Sequence, residues 1–504
     1  MNHLSKLIIA VSLWPRPDAW AQTTWLDLPA DFISMASVSG GSNTPSRLAV
    51  FDADRSRPER RRHLNWLTKS LGSKPQARYR NTSRHQVPSS VASFDVCALD
   101  PKSSSESVLY LDANGILSAD GERLLQTNTL LAHSRDDALP KVRICFDLFP
   151  GEAPALVVPR LETIEVWRAT EPRKYTRHAS LPLTAGLRFF GPPIRPSDTL
   201  AVQRLSLRLE MPDVIAADYD GDGKSDLCLC REDQLSCYRQ SANGFSRSDR
   251  TSHYFGILSD AEEQDTSLKL DCRLVELTGD RRIDVILQKS QYNLSDMRTT
   301  LFIYPQLATG GFSSKPIQTL ERTGYFAYQE FLDLDDDKLV DIVAPVAGLS
   351  WTELASIYLS RRADIEFVSY RNLGQGRFAT EPRSLHNVSF PIDLKNWNAI
   401  LGVLPIWQTT FLKRDDNLRQ IVFLPDRAAV EVFTLQAGNL SPNPVWRIEA
   451  ELGSDISRLD LDQDGFDELV FAYPRDPKRA RRLLFIEAKE MQDSPTVSYT
   501  HLTL

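Results

Sequence analysis

Acidic side chains recur at every second position in short loops of this 504-residue sequence. The best copy carries Asp218, Asp220, Asp222 and Asp226, with Gly223 at the point where the chain must turn. Carboxylate oxygens at this spacing can converge on one hard cation, and without a cation such closely spaced charges repel one another. The loop therefore predicts a Ca²⁺ site.

Two further loops are near-complete copies of the first. Counted from the first acid, positions 1, 3, 5 and 9 would supply side-chain oxygens and position 7 a backbone carbonyl. The predicted ligands are Asp218, Asp220, Asp222, Lys224 and Asp226; Asp333, Asp335, Asp337, Leu339 and Asp341; and Asp460, Asp462, Asp464, Phe466 and Glu468. Lys338 replaces the glycine of the second loop, so we expect strain in that turn.

Other loops have lost part of the pattern while the apolar segments around them remain. The loop 276–284 keeps three acids but contains Arg281 and Arg282, which predicts an arginine-pinned or weak site. The stretches 147–156 and 412–421 have lost the acid pattern, and we interpret them as plain connections. A site kept in some units and lost in others is typical of scaffold stabilisation in repeat proteins.

Each loop precedes a short strand-like segment, and these segments recur at a mean spacing of about 60 residues. They are Val108–Leu111, Ala155–Val158, Leu227–Cys230, Val285–Leu287, Ile342–Ala344, Ile421–Leu424 and Leu469–Phe471. The spacing suits blade-sized units of roughly four strands. Three units also contain a glycine turn followed by Phe245, Phe312 or Phe378, which we expect to pack between neighbouring sheets.

The acidic loops, strands and glycine-phenylalanine turns resemble the FG-GAP and VCBS repeats of integrin-α-type β-propellers. The resemblance covers 218–471 well and the preceding region weakly. It implies an all-β fold, a β-propeller of about seven blades of four antiparallel strands. It also implies calcium loops between the first two strands of a blade, on one rim, with the ligands named above.

The ends of the chain and one internal stretch depart from this pattern. A polar start, a short apolar run and the Ala19-Trp20-Ala21 sequence predict a signal peptide at 1–21, so we expect a secreted, periplasmic or cell-surface protein. The propeller would span 22–490, with a basic loop insertion at about 55–90. The last residues, 491–504, form an irregular tail, and we expect the native chain to end differently.

The composition and net charge argue against one class of partner. The chain is 42% hydrophobic and 25% charged with a formal net charge of -7, which is typical of a soluble globular protein and suggests no nucleic-acid partner. No later apolar run reaches the roughly 18 residues of a transmembrane segment. The six cysteines are compatible with disulfides, and a hairpin turning at Glu232-Asp233 would place Cys228 opposite Cys237.

These observations predict a monomeric, non-enzymatic, calcium-binding propeller that acts as a binding, adhesion or scaffold module for a protein or glycan partner. The sequence contains no catalytic motif of the zinc-protease or serine-hydrolase type. Two alternatives stay open. One is a secreted carbohydrate-active enzyme, similar to the polysaccharide lyases, with its site at the propeller channel, and the other is a structural component of an envelope assembly.

Overall fold

The computed structural model describes most of the chain between residues 21 and 488. The described residues are 21–40, 46–54, 61–69, 79–102, 105–130, 139–183, 186–190, 206–242, 244–259, 262, 265, 267–293, 296–326, 329–347, 351–391, 407–410, 419–423, 429–436, 438–444, 446–453, 455–461, 468–474 and 476–488. The predicted signal peptide up to residue 20 and the predicted tail 491–504 lie outside them.

The described residues form eight antiparallel blades, so the all-β propeller is confirmed. After β1 (Ala21–Asp27), blade 1 consists of β2 (Asp31–Val38), β3 (Arg47–Ala53), β4 (Arg62–Lys69) and β5 (Tyr79–Gln86), and blade 2 of β6 (Val91–Cys97), β7 (Ser107–Asp112), β8 (Gly115–Ser118) and β9 (Arg123–Gln126). Blade 3 consists of β10 (Cys145–Phe146), β11 (Ala155–Pro159), β12 (Thr163–Glu171) and β13 (Lys174–Pro182). After the separate hairpin of β14 (Gly186–Phe190) and β15 (Ser206–Glu210), blade 4 consists of β16 (Asp213–Ala217), β17 (Asp226–Arg231), β18 (Gln234–Ser241) and β19 (Gly244–Tyr254).

The remaining blades repeat this order with two split strands. Blade 5 consists of β20 (Leu268–Val275), β21 (Asp284–Asn293), β22 (Asp296–Tyr304) and β23 (Gln318–Thr323). Blade 6 consists of β24 (Tyr325–Phe326), β25 (Glu330–Leu332), β26 (Asp341–Ala347), β27 (Arg362–Tyr370) and β28 (Arg383–Pro391), with helix α1 (Trp351–Ser360) between β26 and β27. Blade 7 consists of β29 (Trp407–Thr410), β30 (Arg419–Phe423), β31 (Ala429–Gln436), β32 (Asn439–Leu440) and β33 (Trp446–Glu449), and blade 8 of β34 (Asp455–Leu459), β35 (Glu468–Ala472) and β36 (Arg482–Ala488) together with β1.

The second strand of a blade is buried on both faces. Every residue of β35 is buried, and in β26 only the last residue is not. The fourth strands instead expose most of their side chains, as in β5, where only Tyr79 is buried. A strand with both faces covered by neighbouring sheets needs a continuous apolar run, which explains why second strands stand out in the sequence and outer strands do not.

Eight apolar cores lie between successive blades and close the ring. Each core joins residues of two neighbouring blades, from the core of blades 1 and 2 around to that of blades 7 and 8. The eighth joins Phe485 and Val470 of blade 8 to Phe32 and Val50 of blade 1. The first and last described strands also meet in one sheet, because β1 pairs with β36 as the outer strand of blade 8.

The prediction of about seven blades was wrong, because blade 1 went uncounted. Its second strand, β3, follows a serine- and glycine-rich connection that carries none of the acids marking the other units. The same omission explains the predicted basic insertion at about 55–90. The described part of that stretch contains β4, whose residues are buried or half-buried, and β5, which exposes seven of its eight residues, among them Arg80 and Arg84.

Two of the three disulfides join neighbouring blades. Cys97 of blade 2 bonds to Cys145 of blade 3, and Cys230 of blade 4 bonds to Cys272 of blade 5. The third, between Cys228 and Cys237, lies within blade 4 in the register expected of the hairpin, which confirms that pairing. A covalent link between blades stabilises the ring chiefly by restricting the unfolded chain.

The phenylalanines after the glycine turns pack between blades, as expected. Phe245 contributes to the core of blades 3 and 4, Phe312 packs against that of blades 4 and 5, and Phe378 contributes to that of blades 5 and 6. Among the residues that the structure describes, no helix has the length and apolar character needed to cross a membrane.

Candidate metal centres on one rim

The acidic loops join the first and second strands of their blades. Loop 218–226 connects β16 to β17, 276–284 connects β20 to β21, 333–341 connects β25 to β26, and 460–468 connects β34 to β35. Every blade has the same strand order, and Phe94 of β6 pairs in parallel with Lys141, which leads into the first strand of the next blade. These connections therefore share one rim. This is the position that the resemblance to FG-GAP and VCBS repeats implied for them.

Loop 218–226 gathers three carboxylates. One oxygen from each of Asp218, Asp220 and Asp222 lies within 4.8 Å of the others. Asp218 also shapes the turn, because its two oxygens accept the backbone N–H groups of Gly221 at 2.8 Å and Gly223 at 2.9 Å. Both glycines have positive φ, 79° and 83°, which a side chain would disfavour.

Lys224 partly neutralises this cluster. Its ammonium pairs with Asp222, and this hydrogen bond lowers the pKa of the Asp222 carboxyl below its usual range. The pair is solvent-exposed and can open without leaving a buried charge. The cluster is therefore accessible to a competing cation.

Loop 333–341 gathers a second cluster of the same form. Oxygens of Asp333, Asp335 and Asp337 lie within 4.8 Å of one another. Asp333 accepts the backbone N–H of Lys338 at 3.0 Å, as Asp218 does with Gly223. The exposed Arg371 side chain reaches Asp335 at 2.8 Å, in the role that Lys224 has in the first loop.

Strain at the missing glycine is confirmed by the backbone. Lys338 has φ 70°, close to the 83° of Gly223 at the equivalent position. A residue with a side chain disfavours this left-handed region by about 1–2 kcal/mol. The turn geometry is thus conserved between the two loops although the residue is not.

We expect Lys338→Gly to raise the free energy of unfolding by about 1 kcal/mol, because glycine removes the strain and loses somewhat more entropy on folding. Urea unfolding in EDTA would measure this change without any contribution from bound metal. The matched change Gly223→Lys should shift stability in the opposite direction. A destabilised Lys338→Gly variant would contradict the strain.

Loop 276–284 has the same backbone but a different charge arrangement. Gly279 and Arg281 take the two positive-φ positions at 79° and 68°. Arg282 pairs with Asp280 at 2.9 Å, so the predicted arginine-pinned loop is present. In the described part of the chain, this loop brings no three carboxylates together at metal-binding distance.

Only the ends of loop 460–468 are described. Asp462, Asp464 and Phe466 lie outside the described residues. Glu468 is buried, accepts the N–H of Leu461 at 2.8 Å, and lies 2.5 Å from the ammonium of Lys69 in blade 1. Metal binding by this loop stays a prediction.

The acid at position 9 has a structural role in all four loops. It is buried and accepts the N–H of the residue seven positions earlier, at the second position of the loop. The pairs are Asp226 with Tyr219 at 2.9 Å, Asp284 with Leu277 at 2.7 Å, Asp341 with Leu334 at 3.2 Å, and Glu468 with Leu461 at 2.8 Å. This bond closes the loop between the first and second strands of the blade.

The other oxygen of three of these acids holds a second amide. Asp226, Asp284 and Asp341 accept the backbone N–H groups of Gln240 at 2.6 Å, Gln306 at 2.8 Å and Asn372 at 2.7 Å. Burial raises the pKa of Asp226 and of Asp284 to about 6 and also raises that of Asp341. A carboxylate can accept further contacts, so a role of Asp226 and Asp341 as ligands stays a prediction.

The amide side chains of these partners extend the network to the preceding blade. Gln240 donates to the carbonyl of Leu148 at 3.0 Å, Gln306 to that of Tyr219 at 2.7 Å, and Asn372 to that of Leu277 at 2.9 Å. Sequence reasoning missed these residues. In the sequence they could have been found as an amide residue at the end of the third strand of these three blades, shortly before the glycine-phenylalanine turn.

No family model matches the chain, so the FG-GAP/VCBS resemblance is not confirmed. No curated protein matches it. Similar solved structures include BBS1N in complex with ARL6DN (TM-score 0.36, 10% identity, 93% of this chain and 98% of that chain), the WD40 domain of fission-yeast SCAP (0.27, 12%, 83% and 98%) and the WD40 domain of Toxoplasma gondii coronin (0.30, 8%, 94% and 87%). At these TM-scores, none of them bears on the loops or on a partner.

Proposed function

We propose that this chain is an exported β-propeller of FG-GAP/VCBS type that binds Ca²⁺ in its acidic rim loops and acts as a non-enzymatic binding or scaffold module. Its partner would be a protein or a glycan. The observation that carries the proposal is the pair of three-carboxylate clusters, 218–222 and 333–337, held by equivalent turns on one rim.

The donor set fits calcium. All side-chain donors are carboxylate oxygens, the hard ligands that Ca²⁺ prefers, and the loops are short enough to bring several of them to one ion. The Oδ1 atom of Asp335 is buried and has no hydrogen-bond partner, which is costly unless an ion or another donor meets it. A bound cation would satisfy that atom and relieve the repulsion within the cluster.

The disulfides support export. All six cysteines of the chain are paired, and disulfides persist in oxidising compartments outside the cytosol. Cleavage after the predicted signal peptide at Ala21 would leave 22–27 of β1 to complete blade 8. Both features favour a protein that folds after secretion.

Calcium should stabilise the native protein. At a hundredfold excess over its Kd, each ion contributes about 2.7 kcal/mol by mass action. We therefore expect EDTA to lower the melting temperature and added Ca²⁺ to restore it, measured by differential scanning calorimetry. Asp220→Ala and Asp335→Ala should each reduce the recovery, and Tb³⁺ luminescence should show fewer bound ions in each variant.

The matched control is Asp280→Ala in the arginine-pinned loop, which should leave the calcium dependence unchanged. A melting temperature that is equal in EDTA and in Ca²⁺ would refute the metal assignment. Equal calcium dependence in Asp220→Ala, Asp335→Ala and the native chain would place the metal elsewhere.

A further inference from the structure

A cleft of about 300 Å³ lies between blades 1 and 2 on the rim that carries the acidic loops. Its wall includes Arg47 and Ser107, the first residues of β3 and β7. Both residues directly follow the connections that correspond to the acidic loops of the later blades. The cleft therefore opens on the rim that carries the acidic loops, beside two connections that lack the acid pattern of those loops.

Arg47 is the unusual group in this cleft. Its guanidinium lies 4.3 Å from the ring centroid of Trp66, a buried residue of β4, and burial lowers the pKa of Arg47. In the described part of the chain, no carboxylate pairs with this guanidinium. A half-buried cation held only by an aromatic face is incompletely compensated, and an anion entering the cleft would supply the missing partner.

A second arginine enters the cleft from blade 3 but is already paired. Arg173, in the turn between β12 and β13, contacts Asp120 at 2.7 Å and Glu122 at 2.8 Å. The hydrogen bond from Ser118, followed by that from Arg173, lowers the pKa of Asp120 to about 2, so Asp120 stays ionised. Because Asp120 and Glu122 already compensate Arg173, Arg47 supplies the uncompensated positive charge of the lining.

These charges favour a monoanion with hydroxyl groups. A carboxylate matches the planar fork of Arg47, whereas a phosphate dianion would exceed the single positive charge and meet Asp120. Asp120 and Ser107 offer acceptors that a ligand hydroxyl can use and that an acidic peptide side chain cannot. The volume, at the low end for small-molecule sites, suits a single sugar ring.

We propose that this cleft binds an acidic sugar residue, a hexuronate, with its carboxylate on Arg47 and its hydroxyls toward Asp120 and Ser107. The assignment rests on the proposed role as a binding module and names the class of glycan that it would recognise. The calcium loops and the cleft would then share a rim, the loops stabilising the blades and the cleft making the contact.

Isothermal titration of the full chain with sodium glucuronate, in Ca²⁺, tests the site. We expect binding to the native protein, no comparable binding of glucose, and a loss of roughly tenfold or more in affinity in Arg47→Gln, because a charge-assisted contact is removed. The matched control is Arg250→Gln, whose guanidinium lies over the ring of Tyr238 in blade 4, outside the cleft. This control should bind glucuronate as the native protein does.

Each other result would overturn the proposal. Equal affinity for glucose and glucuronate, or unchanged affinity in Arg47→Gln with its melting temperature preserved, would exclude the carboxylate contact. Tighter binding of an aspartate-containing peptide than of glucuronate would exclude the sugar. If glucuronate does not bind while calcium still raises the melting temperature, the sugar site is refuted and the calcium-binding propeller is not. If glucuronate binds but calcium leaves the melting temperature unchanged, the calcium assignment is refuted and the sugar site is not.

Discussion

Asp284→Ala is expected to lower the free energy of unfolding by about 2–6 kcal/mol. The carboxylate of Asp284 is fully buried and accepts the N–H groups of Leu277 at 2.7 Å and Gln306 at 2.8 Å. Alanine leaves both donors unsatisfied in the core, at about 1–3 kcal/mol each. Because Gln306 also holds the carbonyl of Tyr219, the change should loosen the contact between blades 4 and 5.

Urea unfolding measures this loss, and two variants calibrate it. Asp284→Asn should cost less than alanine, because the amide oxygen can still accept one N–H while its NH₂ group faces the other donor. Asp271→Ala removes a carboxylate of the same blade that pairs only with the exposed Lys269, and should change stability by less than about 1 kcal/mol. If Asp284→Ala were as mild as Asp271→Ala, the buried acid would not be holding the loop.

The pH dependence should distinguish this role from simple loss of packing. Burial raises the pKa of Asp284 to about 6, against the opposing effect of the two amide hydrogen bonds. A folded-state pKa above the unfolded value of about 3.9 means that the native state binds more protons between these pH values. The contribution of this group is therefore fully present below about pH 4 and is lost as pH rises through about 6. The difference in stability between the native chain and Asp284→Ala should change across that window.

The sequence allowed the second strands to be predicted, because a strand that is buried on both faces needs a continuous apolar run. Second strands such as β17 and β35 are continuous apolar runs, and the acids that precede them stand out against turns. Blade 1 was missed because its second strand lacks that acidic marker. Its outer strand, β5, exposes seven of its eight residues, and a strand that is polar on both sides has no period that sequence reasoning can detect.

The acid at position 9 makes contacts that the sequence could not predict. Its spacing predicts a ligand, which stays a prediction. The structure adds a bond to the loop backbone and, in three blades, a bond to an amide that reaches the preceding blade. Those partners lie far along the chain, such as Asn372 for Asp341, so no local pattern joins them. A contact within one hairpin, as between Cys228 and Cys237, was predictable because its register follows from a single turn.

Removing 22–27 is expected to have a still larger effect, lowering the free energy of unfolding by roughly 4–10 kcal/mol. The truncation removes six of the seven consecutive residue pairs between β1 and β36, and each lost ladder bond costs about 0.5–1.5 kcal/mol. Trp25 also stacks on Tyr473 with ring centroids 5.5 Å apart, and the guanidinium of Arg482 lies 4.4 Å from the Trp25 ring. The truncation would leave β36 as an open edge.

An open edge has a second consequence that distinguishes ring opening from a merely weakened blade. Unpaired strand edges recruit other chains, so the truncated protein should self-associate as well as melt earlier. Hydrogen exchange should show lost protection along β36, while size-exclusion chromatography reports the association. Thr23→Ala, a change to an exposed side chain of the same strand, should leave both measurements unchanged because it keeps the ladder. If the truncated chain stayed monomeric with β36 protected, the eight cores alone would hold the ring, and β1 would be dispensable for closure.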